Sequence, residues 1–430
     1  MSLNKDSSST DSSSYVESSS SDENFEHSDN LCLEGNIINN YNVIYELGRG
    51  GFSIVWLCYN IVNNNFYALK VQNPKEYKDG LEEIKFVKNL PKNYNFNYLV
   101  EHFIEVVNNK KYLCSVWELC AGNLDNLIRK SNFNQDTKEH INKCLPFNMC
   151  TSIMKQILPC IKVLHKSKYF HGDIKTDNIL IRGHNDRDQY LIDCYTKENF
   201  FNKYTEMKNE FQKKNNNLSK NNKLDIRKKV HSDIVKKILN NSEYTKYSKY
   251  NINSKYLENI KVCLSDFGMV CHEDDCYELP FGTRYYQAPE IILMGEDKCI
   301  SSFPVDIWAI SCTFFELLSG TILFDPIKDS KYNRDYYHLK LINNTCGTFE
   351  SGFLKKTKYY KKYFNNGYLL DCNTNGSYDR LNTKINLIKE KQGLGCVEVE
   401  YLNEFFQKTL QIDPRKRANI DYLISHGLFK

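Results

Sequence analysis

Short apolar runs separated by polar or glycine-rich turns open the patterned part of the chain. Residues 43–48 read as a strand entering a turn, residues 53–59 as a strand leaving it, and residues 66–71 as a third strand. Apolar residues then recur at helical spacing, at Leu81, Ile84, Val87 and Leu90. Two further runs, near 100–107 and 112–119, complete a small antiparallel sheet with one helix. From Leu124 the pattern turns helical. Residues 147–166 read as a long buried helix, with Ile153, Ile157, Ile161 and Leu164 apolar and Pro159 set against its regularity. The expected fold class is α+β in two lobes: a small antiparallel sheet with one main helix over 41–119, and a larger, mainly helical body over 120–430.

Two segments fall outside this pattern. Residues 1–40 begin with a Ser-rich, acidic stretch that buries too little to order itself, so a solvated tail is expected, with its serines as candidate phosphorylation sites. Residues 183–260 are polar, rich in Lys, Asn and Tyr, and nearly free of Gly and Pro. Loops longer than about 15 residues are uncommon in compact domains. This stretch is therefore read as a basic insert, mostly disordered, with a short amphipathic helix near 226–239.

Composition narrows the class. A chain of 430 residues with 41% hydrophobic and 13% aromatic content has enough apolar material for a substantial core. The net charge of +4 is small for this length and argues little for nucleic-acid binding. The 16 cysteines are scattered, without paired Cys-x-x-Cys spacing, and are read as free thiols in a reducing compartment. Cys271 and Cys276 bracket an acidic loop, but two thiols make a poor zinc site. No apolar signal segment and no run of about 18 apolar residues is seen. The expectation is a soluble monomer without membrane attachment, cytoplasmic and with access to the nucleus.

The chemistry concentrates in His171-Gly172-Asp173-Ile174-Lys175-Thr176-Asp177-Asn178, with Asp266-Phe267-Gly268 far downstream. Phosphoryl transfer needs a carboxylate to orient the acceptor, an ammonium to screen phosphate charge, and hard oxygens for Mg²⁺. Asp173, Lys175, Asn178 and Asp266 are those groups in that order. Asp173 and Lys175 are assigned to catalysis, Asn178 and Asp266 to the metal. Upstream, Leu47-Gly48-Arg49-Gly50-Gly51-Phe52-Ser53-Ile54-Val55 forms a turn whose glycines let backbone N–H groups approach phosphate. Alone it could be any hairpin. It gains force from Ala68-Leu69-Lys70 one strand later, where Lys70 should contact the α/β-phosphates and pair with a helix carboxylate. Glu83 is chosen over Glu82, because Leu81 and Ile84 then face the core. A lone Lys–Glu pair is ordinarily a surface ion pair; five such residues in the required order are not.

These residues resemble the protein kinase superfamily over roughly 41–430. The resemblance implies ATP and Mg²⁺ as cofactors and a protein substrate. It implies that adenine lies against Val55 and Ala68, with the Glu118 carbonyl and the Cys120 N–H on its edge. Trp117, just before this linker, would close any deeper pocket. Ala288-Pro289-Glu290 would close the activation segment, with Glu290 paired to Arg417, and Asp306 would anchor the catalytic loop. Within the superfamily the chain resembles the SR-protein kinase family, which phosphorylates Ser in Arg/Ser-rich segments. The marks are the Phe-Ser that ends the glycine turn, Tyr77-Lys78-Asp79-Gly80 before the helix, the long insert, and Leu323-Phe324-Asp325-Pro326 followed by Tyr332-Asn333-Arg334-Asp335. The sequence also departs from that family. Asn343 and Asn344 stand where its substrate-docking groove carries a carboxylate, although Asp335 remains. Gln287 replaces an Arg before Ala-Pro-Glu. Glu273, Asp274, Asp275 and Glu278 put acid on the activation segment. Gly172 replaces the Arg that meets an activation-segment phosphate in many kinases, so activity independent of such a phosphate is expected. The competing readings are a pseudokinase scaffold, which would ordinarily lack Lys70, Asp173 or Asp266, and a dual-specificity or cyclin-kinase-like enzyme.

Overall fold

The computed structural model describes residues 31–107, 109–130, 133–134, 139–140, 144–215, 218–275, 282–294, 302–371 and 380–430. The chain divides into a unit ending at Leu33 and a compact unit from Glu34 to Lys430, which holds every element that follows. The expectations for residues 1–30, Cys276 and Glu278 lie outside the described residues.

Six strands build the small lobe: β1 (Ile37–Ile38), β2 (Tyr41–Arg49), β3 (Ser53–Asn60), β4 (Phe66–Gln72), β5 (Leu99–Val107) and β6 (Lys110–Trp117). They lie in the order β1-β2-β3-β4-β6-β5, all pairs antiparallel. One helix, α1 (Tyr77–Lys88), buries Glu83, Ile84 and Val87. Order reaches back beyond the expected start at 41. Asn39 takes φ 51°, a left-handed value that Asn tolerates, and the resulting tight turn folds β1 onto β2.

The connection β7 (Cys120–Asn123) leads into α2 (Leu124–Arg129), a short ribbon of β8 (Phe133–Asn134) and β9 (Glu139–His140), and then α3 (Phe147–Lys166). Pro159 lies inside α3, which runs on through it. The helix buries Ile153, Ile157, Ile161 and Leu164 in the main core. Strands β10 (Tyr169–Phe170) and β11 (Ile179–Arg182) flank the catalytic motif, and β11 pairs with β7.

The expectation of a mostly disordered insert is corrected here. It folds as α4 (Asp186–Lys197), α5 (Phe200–Lys214), α6 (Lys220–Asn240) and α7 (Ser254–Glu258). Its asparagines and serines are not solvated filler. Asn185, Asn199, Ser219 and Asn253 each accept a backbone N–H at a helix start, satisfying donors that helix ends leave open. Leu191 and Tyr195 of α4, with Ile226, Val230, Ile234, Val235 and Ile238 of α6, form a second core against Ile44 of β2 and Leu57 of β3. The apolar stripe was visible over 226–239. Its partner surface lies more than a hundred residues upstream, so no local window could show that the stripe is covered.

The chain then returns through β12 (Val262–Leu264), beside β11, and β13 (Cys271–His272), beside β10. The larger lobe is completed by α8 (Pro289–Ile292), α9 (Phe303–Ser319), α10 (Arg334–Cys346), α11 (Ser351–Leu354), α12 (Tyr360–Tyr363), the pair β14 (Phe364–Asn365) and β15 (Tyr368–Leu369), α13 (Leu381–Gln392), α14 (Cys396–Thr409) and α15 (Ile420–Ser425). Helix α9 is buried along nearly its whole length. Cys271 departs from the free-thiol reading. It is disulfide-bonded beside the acidic turn 273–275, whereas cysteines such as Cys120, Cys160 and Cys263 are free. Among the described residues no helix is long and apolar enough to cross a membrane.

Candidate active site

The glycine turn joins β2 to β3. Gly48 lies opposite Val55, Arg49 opposite Ile54, and the Gly50 N–H donates to the Ser53 carbonyl at 2.9 Å. A Cβ built on Gly48 or Gly51 would meet nothing within 4 Å, so both positions border open space. Phe52 is exposed at the tip, while Leu47 and Val55 pack against the core and Ala68 is buried.

Lys70 on β4 donates to Glu83 Oε2 at 2.8 Å. Burial pulls the Lys70 pKa down, but the Glu83 and Asp266 carboxylates outweigh it and hold it above its ordinary value. The lysine is therefore charged at neutral pH and faces both carboxylates. Glu82 pairs with Lys85 on the exposed side of the helix instead.

The catalytic motif is gripped from below. Asp306, fully buried near the start of α9, accepts the backbone N–H groups of His171 (2.8 Å) and Gly172 (3.0 Å) and contacts His165 Nε2 at 2.9 Å. Gly172 has φ 78°, and a Cβ there would lie 2.7 Å from the Met269 carbonyl oxygen. Asp173 Oδ1 accepts from the Thr283 N–H and hydroxyl, each at 2.8 Å. Its Oδ2 accepts from Lys175 Nζ at 2.7 Å and Asn178 Nδ2 at 3.1 Å. Lys175 also donates to Thr283 Oγ1 at 2.6 Å. Burial raises the Asp173 pKa, but Lys175 and the Thr283 hydrogen bonds dominate and hold it below the usual carboxylate range. The carboxylate is ionised at neutral pH and fixed in orientation.

Asp266 has φ 61°, the left-handed region, and follows Ser265, whose N–H and hydroxyl both donate to the Asn178 carbonyl at 2.9 Å. These bonds tie the two candidate metal ligands together. Among the described residues no three His, Cys, Asp or Glu side chains form a metal cage. A carboxylate and an amide oxygen nonetheless suit Mg²⁺, which keeps few protein ligands and completes its shell with phosphate and water. The donor chemistry of Asn178 and Asp266 therefore fits. Phe267 plugs the space beneath, 5.8 Å from Phe86 of α1, 5.9 Å from Phe96 and 5.4 Å from the His171 ring. Glu118 and Cys120 stand on the linker between lobes. The Glu118 side chain bonds Arg182, and the Asn185 amide donates to the Ala121 carbonyl at 3.1 Å.

Some supporting groups were not read from the sequence. Glu316 is fully buried and accepts from Tyr286 Oη (2.5 Å) and Arg129, with Thr176 at 3.4 Å. It joins α2, the catalytic loop and the activation segment, residues far apart in the chain, and no local motif marks it. His165 was likewise unmarked. The Glu290–Arg417 pair is fully buried, with contacts of 2.6 and 3.0 Å, and the guanidinium lies 5.0 Å from the Trp308 ring centre.

A charged lysine, an ionised aspartate and two hard-oxygen ligands around a glycine turn between two lobes define a phosphotransferase. The protein kinase domain family matches residues 41–209 and 248–429, and the chain belongs to that family. It is 25% identical over 480 residues to the putative serine/threonine-protein kinase L205 of Acanthamoeba polyphaga mimivirus, covering 90% of this chain and 86% of that protein. It is 27% identical over 404 residues to the serine/threonine-protein kinase SRPK of Physarum polycephalum, covering 90% and 85%. The human dual specificity protein kinase CLK1 is 25% identical, with 93% and 68% covered. The solved kinase domain of PF14_0431 shares the fold, with a TM-score of 0.58 and 19% identity over 92% of this chain and 97% of that one. The chain is a serine/threonine protein kinase whose relatives include SR-protein kinases.

Proposed function

We propose that this kinase transfers the γ-phosphoryl group of ATP to serines set among basic residues, as in Arg/Ser-rich segments. The observation that carries the reading is the Asp173–Lys175–Thr283 cluster, which holds one ionised carboxylate in a fixed orientation beside an ammonium. Asp173 orients the acceptor hydroxyl and takes its proton. Lys175 screens charge on the phosphoryl oxygens during transfer, and Lys70, steadied by Glu83, contacts the α/β-phosphates. Asn178 and Asp266 would hold Mg²⁺, which neutralises phosphate charge when bound. The linker groups of Glu118 and Cys120 would meet the adenine edge, and the turn 47–55 would cover the phosphates.

The basic-residue preference draws support from two carboxylates near the acceptor position. Asp177, exposed and two residues beyond Lys175, is pushed above its ordinary pKa by desolvation and by the Asp125 carboxylate. Such a pair favours a cationic neighbour. Arg129 pairs with Asp125 at 2.6 Å, and the Asp177 carboxylate stays exposed beside them, where a substrate arginine could reach it.

The test compares γ-labelled phosphate transfer to Arg-Ser repeat, Ser-Pro and acidic Ser peptides. Transfer to the first should dominate; preference for either of the others overturns the substrate reading. Asp173→Ala should lower kcat by about 10²–10⁴-fold, the range for loss of a positioned acid–base group, in a chain that circular dichroism still shows folded. The relative named as a dual specificity kinase gives the second reading, and phosphoamino-acid analysis for phosphotyrosine decides it.

A further inference from the structure

The acidic docking groove that the family resemblance implies leaves little free carboxylate in this chain. Asp335, the carboxylate retained there, is consumed internally. It pairs with Arg284 of the activation segment at 2.5 Å and accepts from Tyr363 Oη at 3.1 Å and Asn333 Nδ2 at 3.3 Å. Lys362 Nζ lies 5.0 Å from the centre of the same Tyr363 ring. The other acids between residues 326 and 371 are also engaged: Asp371 by Lys331 and by Tyr332 Oη at 2.7 Å, Asp329 by Tyr337, and Glu350 by Lys416 at 2.6 Å.

The lysines of α11–α12 are not engaged in this way. Lys355, Lys358, Lys361 and Lys362 are exposed. Among the described residues none of the four is in an ion pair; Lys358 lies over the Tyr359 ring at 5.5 Å, and Lys362 over the Tyr359 and Tyr363 rings at 5.5 and 5.0 Å. The row is also fixed relative to the active site. The backbone N–H groups of Lys358 and Tyr359 donate to the carbonyls of Met294 (2.9 Å) and Leu293 (3.1 Å), just after α8.

We propose that the α11–α12 lysine face docks an Asp/Glu-rich segment of the protein substrate, separate in sequence from the phosphorylated serine. This rests on the protein-kinase reading and deepens it: the substrate carries basic residues at the acceptor and acidic residues at a distance. Unpaired lysines beside neutralised carboxylates create a local positive field that favours an anionic polypeptide and speeds its encounter.

The experiment uses the full chain and two peptides, an Arg-Ser acceptor alone and the same acceptor joined through a flexible Gly-Ser linker to a run of Glu, placed on either side. For wild type the Glu run should lower KM by about fivefold or more at low salt, with kcat unchanged, and the gain should fade as salt screens it. The exposed triple variant Lys355→Glu/Lys358→Glu/Lys361→Glu should lose that gain while phosphorylating the short peptide normally. An unchanged KM on adding the Glu run, or a gain retained by the triple variant, overturns the proposal. So does a gain seen only when phosphoserines replace the glutamates. Fluorescence anisotropy of a labelled Glu-run peptide reads docking independently of transfer. If neither peptide is phosphorylated but the label binds wild type and not the variant, the acceptor reading fails and the docking face stands.

Discussion

At the scale of single residues, Gly172 shows how one side chain can be forbidden by its surroundings. The sequence shows only that an expected Arg is absent before Asp173. The structure supplies the reason: φ 78° and a Met269 carbonyl oxygen 2.7 Å from any added Cβ. Gly172→Ala should therefore destabilise the chain by about 1–3 kcal/mol, the cost of strain at such a position, and lower Tm measured by calorimetry. An unchanged Tm would mean that Met269 yields freely. Asp173, Lys175, Lys70 and Asp266 were legible because phosphoryl transfer dictates both residue type and order. Glu83 was legible over Glu82 from the helix period alone. Glu316 and His165 were not, because a buried hydrogen-bond hub has no required neighbours in sequence.

At the scale of elements, the described start of the activation segment is anchored by backbone pairing and one ion pair. Strand β13 pairs with β10, the Glu273 N–H donates to the Lys168 carbonyl at 2.9 Å, and the two side chains form an ion pair at 2.7 Å. Phosphatase-treated enzyme should keep its rate; a drop of tenfold or more, about 1.4 kcal/mol in barrier, would show that a phosphate does the ordering. Helix α4 carries a different liability. Asp188 is buried, and desolvation raises its pKa to about 7 even though the Asn185 amide donates to it at 2.6 Å. Because the folded pKa is raised, folding takes up a proton. Its contribution to stability is fully present below the unfolded pKa and is lost as pH rises through about 7. Asp188→Asn should match wild type near pH 4, gain on it by up to about 1.4 kcal/mol per pH unit toward pH 7, and hold a constant advantage above that. Urea melts at pH 5 and pH 8 check this; an equal difference at both would refute it. His231 of α6 is also buried, and desolvation lowers its pKa to about 4, so its contribution is lost on the acid side.

At the scale of the whole molecule, the insert is part of the kinase body and not an appendage. It covers the β2–β3 face of the small lobe and reaches the linker between lobes through Asn185 and the Ala121 carbonyl. The strands it supports carry the glycine turn and, through β4, Lys70. Ile234→Ala empties part of this second core and should cost about 2–5 kcal/mol. Because the loss falls on the lobe that covers ATP, the KM for ATP should rise before kcat falls. A destabilised variant with an unaltered KM for ATP would show that the layer supports folding only. Phe267 links the lobes from inside through Phe86, Phe96 and His171, so both lobes share one packed axis through the site.

The sequence by itself determined the reaction and the lobes. Transfer chemistry tolerates few substitutions, and strand and helix periods are local. Only the tertiary structure decided the fate of the insert, the engagement of Asp335 and the shape required at Gly172. Each depends on a surface contributed from a distant part of the chain: Ile44 and Leu57 beneath α6, Arg284 against α10, and the Met269 carbonyl against the catalytic loop. A periodic apolar stripe shows that a helix has a face to bury. Whether anything covers it, and whether a surface carboxylate is left for a substrate, is settled only when the chain folds back on itself.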